Sequence, residues 1–161
     1  MAYLIRFSCF AAILCGLALS GAGGCSRDGD AERRQFGELI RSYDDLLSQG
    51  YRDMNMAPAG KVVTAEHAAR LDHRLAGLKR MNRRMESRLR EVAVLDIDRR
   101  RDGTAFVTTR EKWDIRQLDL PTREVVRDYH GFGYELRYEI VRQNNRWLVN
   151  AVTVLKEEKP R

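Results

Sequence analysis

Tyr134–Leu155 reads YELRYEIVRQNNRWLVNAVTVL and decides the fold. Tyr134, Leu136, Tyr138 and Ile140 recur at every second residue, the period of a strand that buries one face. Gln143-Asn144-Asn145-Arg146 is a tight polar turn, and asparagine tolerates the positive φ that two-residue hairpin turns demand. Trp147 to Leu155 then supplies the last strand, before a charged tail, Lys156–Arg161, expected to fray. Working outward toward the N-terminus, Val125–Ile140 reads as one strand interrupted near His130-Gly131, preceded by a connection at Leu118–Thr122 that contains Pro121. Thr104–Arg116 is a further strand. Its alternation sets Ala105, Val107, Thr109, Glu111, Trp113 and Ile115 on one face and Arg110, Lys112, Asp114 and Arg116 on the other. Arg100-Arg101-Asp102-Gly103 is a hairpin turn, and Val92–Arg99 the strand before it.

Upstream of this the period changes to that of a helix. Phe36, Leu39, Ile40, Tyr43, Leu46 and Leu47 form one stripe on a first helix, predicted over Ala31–Gln49 with Gly50 as its stop. A linker with Pro58 and Gly60 follows. Thr64 is placed to cap a second helix whose first turn carries Glu66. Ala68, Leu71, Leu75, Leu78, Met81, Met85, Leu89 and Val92 continue it at steps of three and four, so the spacing predicts a helix as far as Val92. Its other faces are strongly basic, with Arg80, Arg83, Arg84 and Arg88 among the arginines.

Helices first and an antiparallel meander afterwards predict an α+β domain, N-terminal helices packed on a curved antiparallel sheet. The order of elements, and the closing strand, polar turn and Arg146-Trp147 with its aliphatic strand, resemble the NTF2-like superfamily. The basic helix leading into long charged strands is similar to the IMS-type domain of that superfamily. The resemblance covers roughly residues 33–156 and implies a cone-shaped fold without prescribing an activity.

The N-terminus carries a separate message. All three cysteines, Cys9, Cys15 and Cys25, fall in the first 25 residues, which leaves the rest of the chain without a disulfide, a thiolate metal site or a thiol nucleophile. Phe7–Leu19 is an uncharged apolar run behind Arg6, of signal-sequence length and too short to span a membrane. Ala22-Gly23-Gly24-Cys25 resembles the bacterial lipobox, departing from it at Ala22 where the family has an aliphatic residue. The resemblance implies a signal peptide, 1–24, cut before Cys25, and lipid on that cysteine as the bond to the bilayer. Cleavage after Ser20 and an uncleaved anchor are the competing readings. Residues 25–34 are then the lipidated cysteine and a short tether, 35–156 the domain and 157–161 the tail. Ser26, where Asp favours the inner membrane in Gram-negative relatives of this signal, leans toward the outer membrane.

For chemistry, the enzymes of the superfamily place an acid or base inside the cone. Glu111 is the residue that alternation puts there, beside Trp113, Tyr134, Tyr138 and Trp147 as the lining of a pocket. The non-catalytic alternative is a bulge that shifts the register, or a pairing of Glu111 with a nearby arginine. A ketosteroid-isomerase type of proton transfer would need an open pocket in which Glu111 and a tyrosine hydroxyl converge; a cone filled by Trp113, Tyr134 and Trp147 would exclude it. His67 and His73 lack the i, i+4 spacing of a metal pair, and nucleotide, hydrolase and zinc-protease motifs are absent. No catalytic residue, metal or cofactor is assigned. The net charge of +6 on 161 residues permits contact of Arg80, Arg83, Arg84 and Arg88 with anionic lipid, against the plainer reading of a solvated helix face. Nucleic acid is disfavoured by the export signal. The function expected is a non-catalytic binding or assembly module in the cell envelope, holding a protein partner or an apolar ligand.

Overall fold

The computed structural model describes residues 25–159; the segment read as a signal peptide, 1–24, and the last two residues of the tail lie outside them. Helix α1 runs Cys25–Asp53, a 3-10 turn Ala57–Lys61, and helix α2 Ala65–Arg80. Strands β1 Arg83–Arg99, β2 Thr104–Asp119, β3 Val125–Gln143 and β4 Arg146–Glu158 follow as an antiparallel meander in the order β1-β2-β3-β4. Two helices on one face of a four-stranded curved sheet is the α+β architecture that the sequence implies.

The core forms where the helical stripe meets the strand alternation. Phe36, Ile40 and Tyr43 of α1 and Leu71 and Leu75 of α2 pack on Val107, Tyr138, Ile140 and Val149 of the sheet, all buried. Thr64 caps α2 by accepting the His67 N–H at 3.2 Å. The segment ahead of it is pinned by a parallel bridge between Val63 and Val149, which covers only the start of the outer edge of β4.

The second helix is shorter than its spacing predicts. It stops at Arg80, Asn82 adopts a left-handed φ of 52°, and Met85, Leu89 and Val92 belong to β1. The cause is in the sheet. The register slips between Leu89 and Glu91 and again between Val94 and Asp96, each slip a bulge that adds one residue to a strand of period two. Met85 to Leu89 is two strand periods and Leu89 to Val92 is one period plus a bulge, so the steps of four and three imitate a helix.

Two other boundaries move, and the expected interruption of β3 stands where the sequence puts it. The polar stretch read as a tether is helical from Cys25, and Lys156–Glu158 continues β4 by pairing with Gly133–Glu135 instead of fraying. The interruption near His130-Gly131 is a bulge opposite Asp114: Gly131 takes φ 67° and donates its N–H to the Asp114 carboxylate at 3.1 Å. The Asn144-Asn145 turn has φ of 49° and 62°, as the sequence predicts.

Gly50 lies inside α1, where a Cβ would meet the Met56 sulfur at 2.5 Å and the Asn55 carbonyl at 3.1 Å. The chain reverses tightly over this glycine. Gly50→Ala should therefore lower stability by about 1–3 kcal/mol, read as the urea midpoint; a gain of about 1 kcal/mol from helix propensity would show that the contact does not constrain the turn.

Candidate functional site

Alternation along β2 carries Thr109, Glu111 and Trp113 to the concave face, and Tyr138 of β3 lies beside them. Glu111 is fully buried. Its Oε1 accepts from the Thr109 hydroxyl at 2.7 Å and the Tyr138 hydroxyl at 2.8 Å, and its Oε2 accepts from the Trp113 indole N–H at 2.8 Å. Three neutral donors thus close on one carboxyl, and no arginine takes part.

A second carboxyl stands behind the same phenol. Asp44 of α1 is 1% exposed, and its Oδ1 lies 3.2 Å from the Tyr138 hydroxyl. Burial first, and the neighbouring Glu111 charge second, push its proton affinity well above the usual carboxylate range, with the Tyr138 hydrogen bond opposing. A phenol has a single proton to give. Tyr138 shares it between the two carboxyls, at 2.8 Å to Glu111 Oε1 and 3.2 Å to Asp44 Oδ1. Asp44 Oδ2 is left buried without a partner among the described residues.

The polar chain extends one step further. Tyr43 stacks edge-on to Tyr138 at 6.0 Å, and its hydroxyl pairs with His67 Nε2 at 3.0 Å. Burial, with Arg70 and Arg74 adding to it, lowers the His67 pKa to about 4, so the ring is neutral near pH 7.

In front of this cluster opens a cavity of about 300 Å³ between α1, α2 and the concave sheet. Leu47, Met85, Ile115, Leu136, Val152 and Val154 give it apolar walls, Trp113, Tyr134 and Tyr138 its aromatic side, and Asp44 a polar point. Arg74 and Glu157 also border it. Of the residues the sequence places in a pocket, Trp113, Tyr134 and Tyr138 are brought together. Glu111 is not in the lining; it is sealed behind Tyr138 and Trp113. Trp147 lies at the other end of the sheet, edge-on to Phe36 at 5.2 Å and beneath the guanidiniums of Arg99 and Arg142. The cone is therefore neither filled by its aromatics nor open onto Glu111.

The residue that sequence reasoning missed is Asp44. It stands four residues after Ile40 and three before Leu47, inside the apolar stripe of α1, and that position was the available signal. The four arginines proposed to meet lipid do not form one helical face. Arg80 ends α2, whereas Arg83, Arg84 and Arg88 lie on β1. Arg83 is paired with Asp119 and Arg84 with Glu86.

No protein-family model matches the chain, and no curated protein matches it. Among solved structures it is similar to the intermembrane space region of chloroplast protein ARC6, with a TM-score of 0.63 at 15% identity over 76% of this chain and 95% of that one. Weaker likenesses are to Aln2 from a Streptomyces species, TM-score 0.49 at 8% identity over 74% of this chain and 89% of that one, and to an NTF2-like protein involved in plasmid conjugation, TM-score 0.39 at 10% identity over 74% and 49%. These likenesses concern the fold.

His67 and Asp44 give opposite pH dependences. His67 binds its proton less readily when folded, so its contribution is complete above pH 6.5 and is lost as pH falls toward about 4; this costs up to about 3 kcal/mol. Asp44 holds its proton more tightly when folded, so its contribution is present below its ordinary pKa of 3.8 and is lost as pH rises above that. In urea unfolding across pH, His67→Gln should flatten the acid limb. Asp44→Asn should gain on the wild type as pH rises above 3.8; a pH-independent difference between the two would contradict the raised proton affinity of the buried carboxyl.

Proposed function

We propose that this chain is an exported lipoprotein, cut before Cys25 and held in the cell envelope by lipid on that residue, whose NTF2-like domain is a non-catalytic binding module. The observation that carries the binding role is the apolar cavity of about 300 Å³ on the concave sheet. Its volume is at the small end of ligand sites, suited to an apolar ligand or to an apolar side chain inserted by an envelope protein partner. Ser26 favours the outer membrane, with the domain on its periplasmic face.

The anchor rests on the small residues before Cys25 and on the absence of cysteine after it. One acyl chain binds only marginally, so the several chains of a lipoprotein anchor are what make attachment lasting.

A second reading has one observation in its favour. Asp44, with its raised proton affinity, lines the cavity beside the Tyr138 hydroxyl, an arrangement fit to hydrogen-bond a ligand oxygen or pass a proton to it. Against it, Asp44 is almost wholly enclosed, and Glu111, the other candidate base, is walled off with every donor around it engaged. A catalytic pair is not assembled on the cavity surface, and binding is the reading preferred.

Val152→Phe, which pushes a ring into the cavity, should weaken binding of an apolar fluorescent probe such as N-phenyl-1-naphthylamine at least tenfold and leave the urea midpoint within about 1 kcal/mol. Undiminished probe binding would remove the cavity from the function. Cys25→Ser should abolish incorporation of labelled palmitate and release the protein from the membrane fraction; membrane retention without label would replace the lipid anchor by an uncleaved one.

A further inference from the structure

The direction of α1 fixes which end of the domain faces its own N-terminus. Glu32 pairs with Arg99 at 3.0 Å, the Arg33 guanidinium donates to the Val94 carbonyl, and further along Ser48 meets Ser87 at 3.0 Å. The helix therefore runs antiparallel to β1, starting beside the β1–β2 turn and finishing where β1 begins. Cys25 lies seven residues ahead of Glu32, about 10 Å farther out along the helix axis.

At that end two turns lie side by side. The Arg142 N–H donates to the Gly103 carbonyl at 3.1 Å, which joins the β1–β2 turn to the β3–β4 turn. Together they present five exposed arginines: Arg99, Arg100 and Arg101 from one, Arg142 and Arg146 from the other. Glu32 engages Arg99, and Asp98 engages Arg100 at 2.7 Å. Arg101, Arg142 and Arg146 have no carboxylate within ion-pair distance among the described residues, although Asp102 is adjacent in sequence to Arg101. Arg99 and Arg142 flank the half-buried Trp147 at 5.5 and 5.9 Å. Arg83 and Arg84, by contrast, sit at the opposite end of β1, roughly 40–50 Å of extended chain away, and are already paired.

We propose that this paired-turn end is a docking surface for anionic phospholipid headgroups, with Arg101, Arg142 and Arg146 as its contacts. The proposal rests on the lipid anchor at Cys25. Because α1 is helical from Cys25 onward, an anchored chain brings this end, and not the Arg83–Arg88 end, to the bilayer. Guanidiniums pair with phosphate oxygens in a planar fork, and a tryptophan between two of them suits the headgroup layer. The domain then stands on the membrane by its two turns, with the β1 start and the opening beside Val154 and Glu157 pointing away.

The full chain, isolated from membranes, is reconstituted in phosphatidylcholine vesicles with and without phosphatidylglycerol, and its N-terminal mass is measured. A probe on Asn145→Cys should be quenched by headgroup-labelled lipid, more strongly with phosphatidylglycerol and less at high salt; a probe on Thr122→Cys at the other end should not be. Flotation of full-length Cys25→Ser with the same vesicles reads the charge without the lipid, and each of Arg101→Glu and Arg146→Glu should weaken its phosphatidylglycerol-dependent part about fivefold or more. A mass lacking acyl groups would overturn the anchor and leave this surface to be judged by flotation. Flotation indifferent to phosphatidylglycerol and to both reversals, or equal quenching at Asn145 and Thr122, would overturn the surface itself.

Discussion

Glu111 is an ionisable side chain at the centre of the domain with no solvent around it, and the arrangement of the concave face follows from how it is satisfied. Thr109 and Trp113 come from its own strand, two residues to either side, so strand alternation alone delivers two of the three donors. The third, Tyr138, comes from β3 and ties the sheet to α1 through Asp44. An unpaired charge here would cost several kcal/mol. The position of α1, the register of β2 on β3 and the orientation of Trp113 are thereby made interdependent, since a one-residue slip would turn the carboxyl to the convex face. The cavity opens in front of this polar wall, between the second half of α1, α2 and the sheet.

Much of the sheet was legible because the β1–β2 and β3–β4 turns carry residues suited to them and because the inward residues of β2 and β3 keep strict alternation over the stretch that forms the core. Glu111 was placed on the correct face by that argument. Its role was not, because the donors that enclose it are neutral residues also common in cores, and nothing in one sequence says that Tyr138 reaches across to it. β1 was misread over its first half for a different reason. The bulge after Leu89 stretches its spacing to that of a helix, and the run of arginines obscures a half-buried pattern. Asp44 escaped notice because attention to a stripe looks for apolar residues and passes over the one acid standing among them.

The separation of the arginines changes what the basic character of the chain means. Read linearly, the cluster lies between residues 70 and 90. In space those residues divide between α2 and β1, where carboxylates from α2, β1 and β2 meet Arg70, Arg83, Arg84 and Arg90. The less conspicuous arginines of the two turns are distant in sequence and adjacent in the fold. Charge density along a chain is thus a poor guide to charge density on a surface when strands run the length of the domain.

The outer edge of β4 has its own consequence. Val63 pairs with it only at Val149 and Arg70 reaches the Asn150 carbonyl, so beyond that point the strand runs on with exposed Val154 and Leu155 and no neighbouring strand on that side among the described residues. Such an edge is a template on which another chain can add a strand. Here the apolar pair is followed at once by Lys156, Glu157, Glu158 and Lys159, and a salt bridge holds Lys156 to Glu158 at 2.6 Å. An approaching strand would have to strip water from these charges before it gained any backbone hydrogen bond. The charged terminus that continues the sheet thereby acts as a guard against uncontrolled polymerisation, a safeguard whose value grows as molecules become crowded side by side.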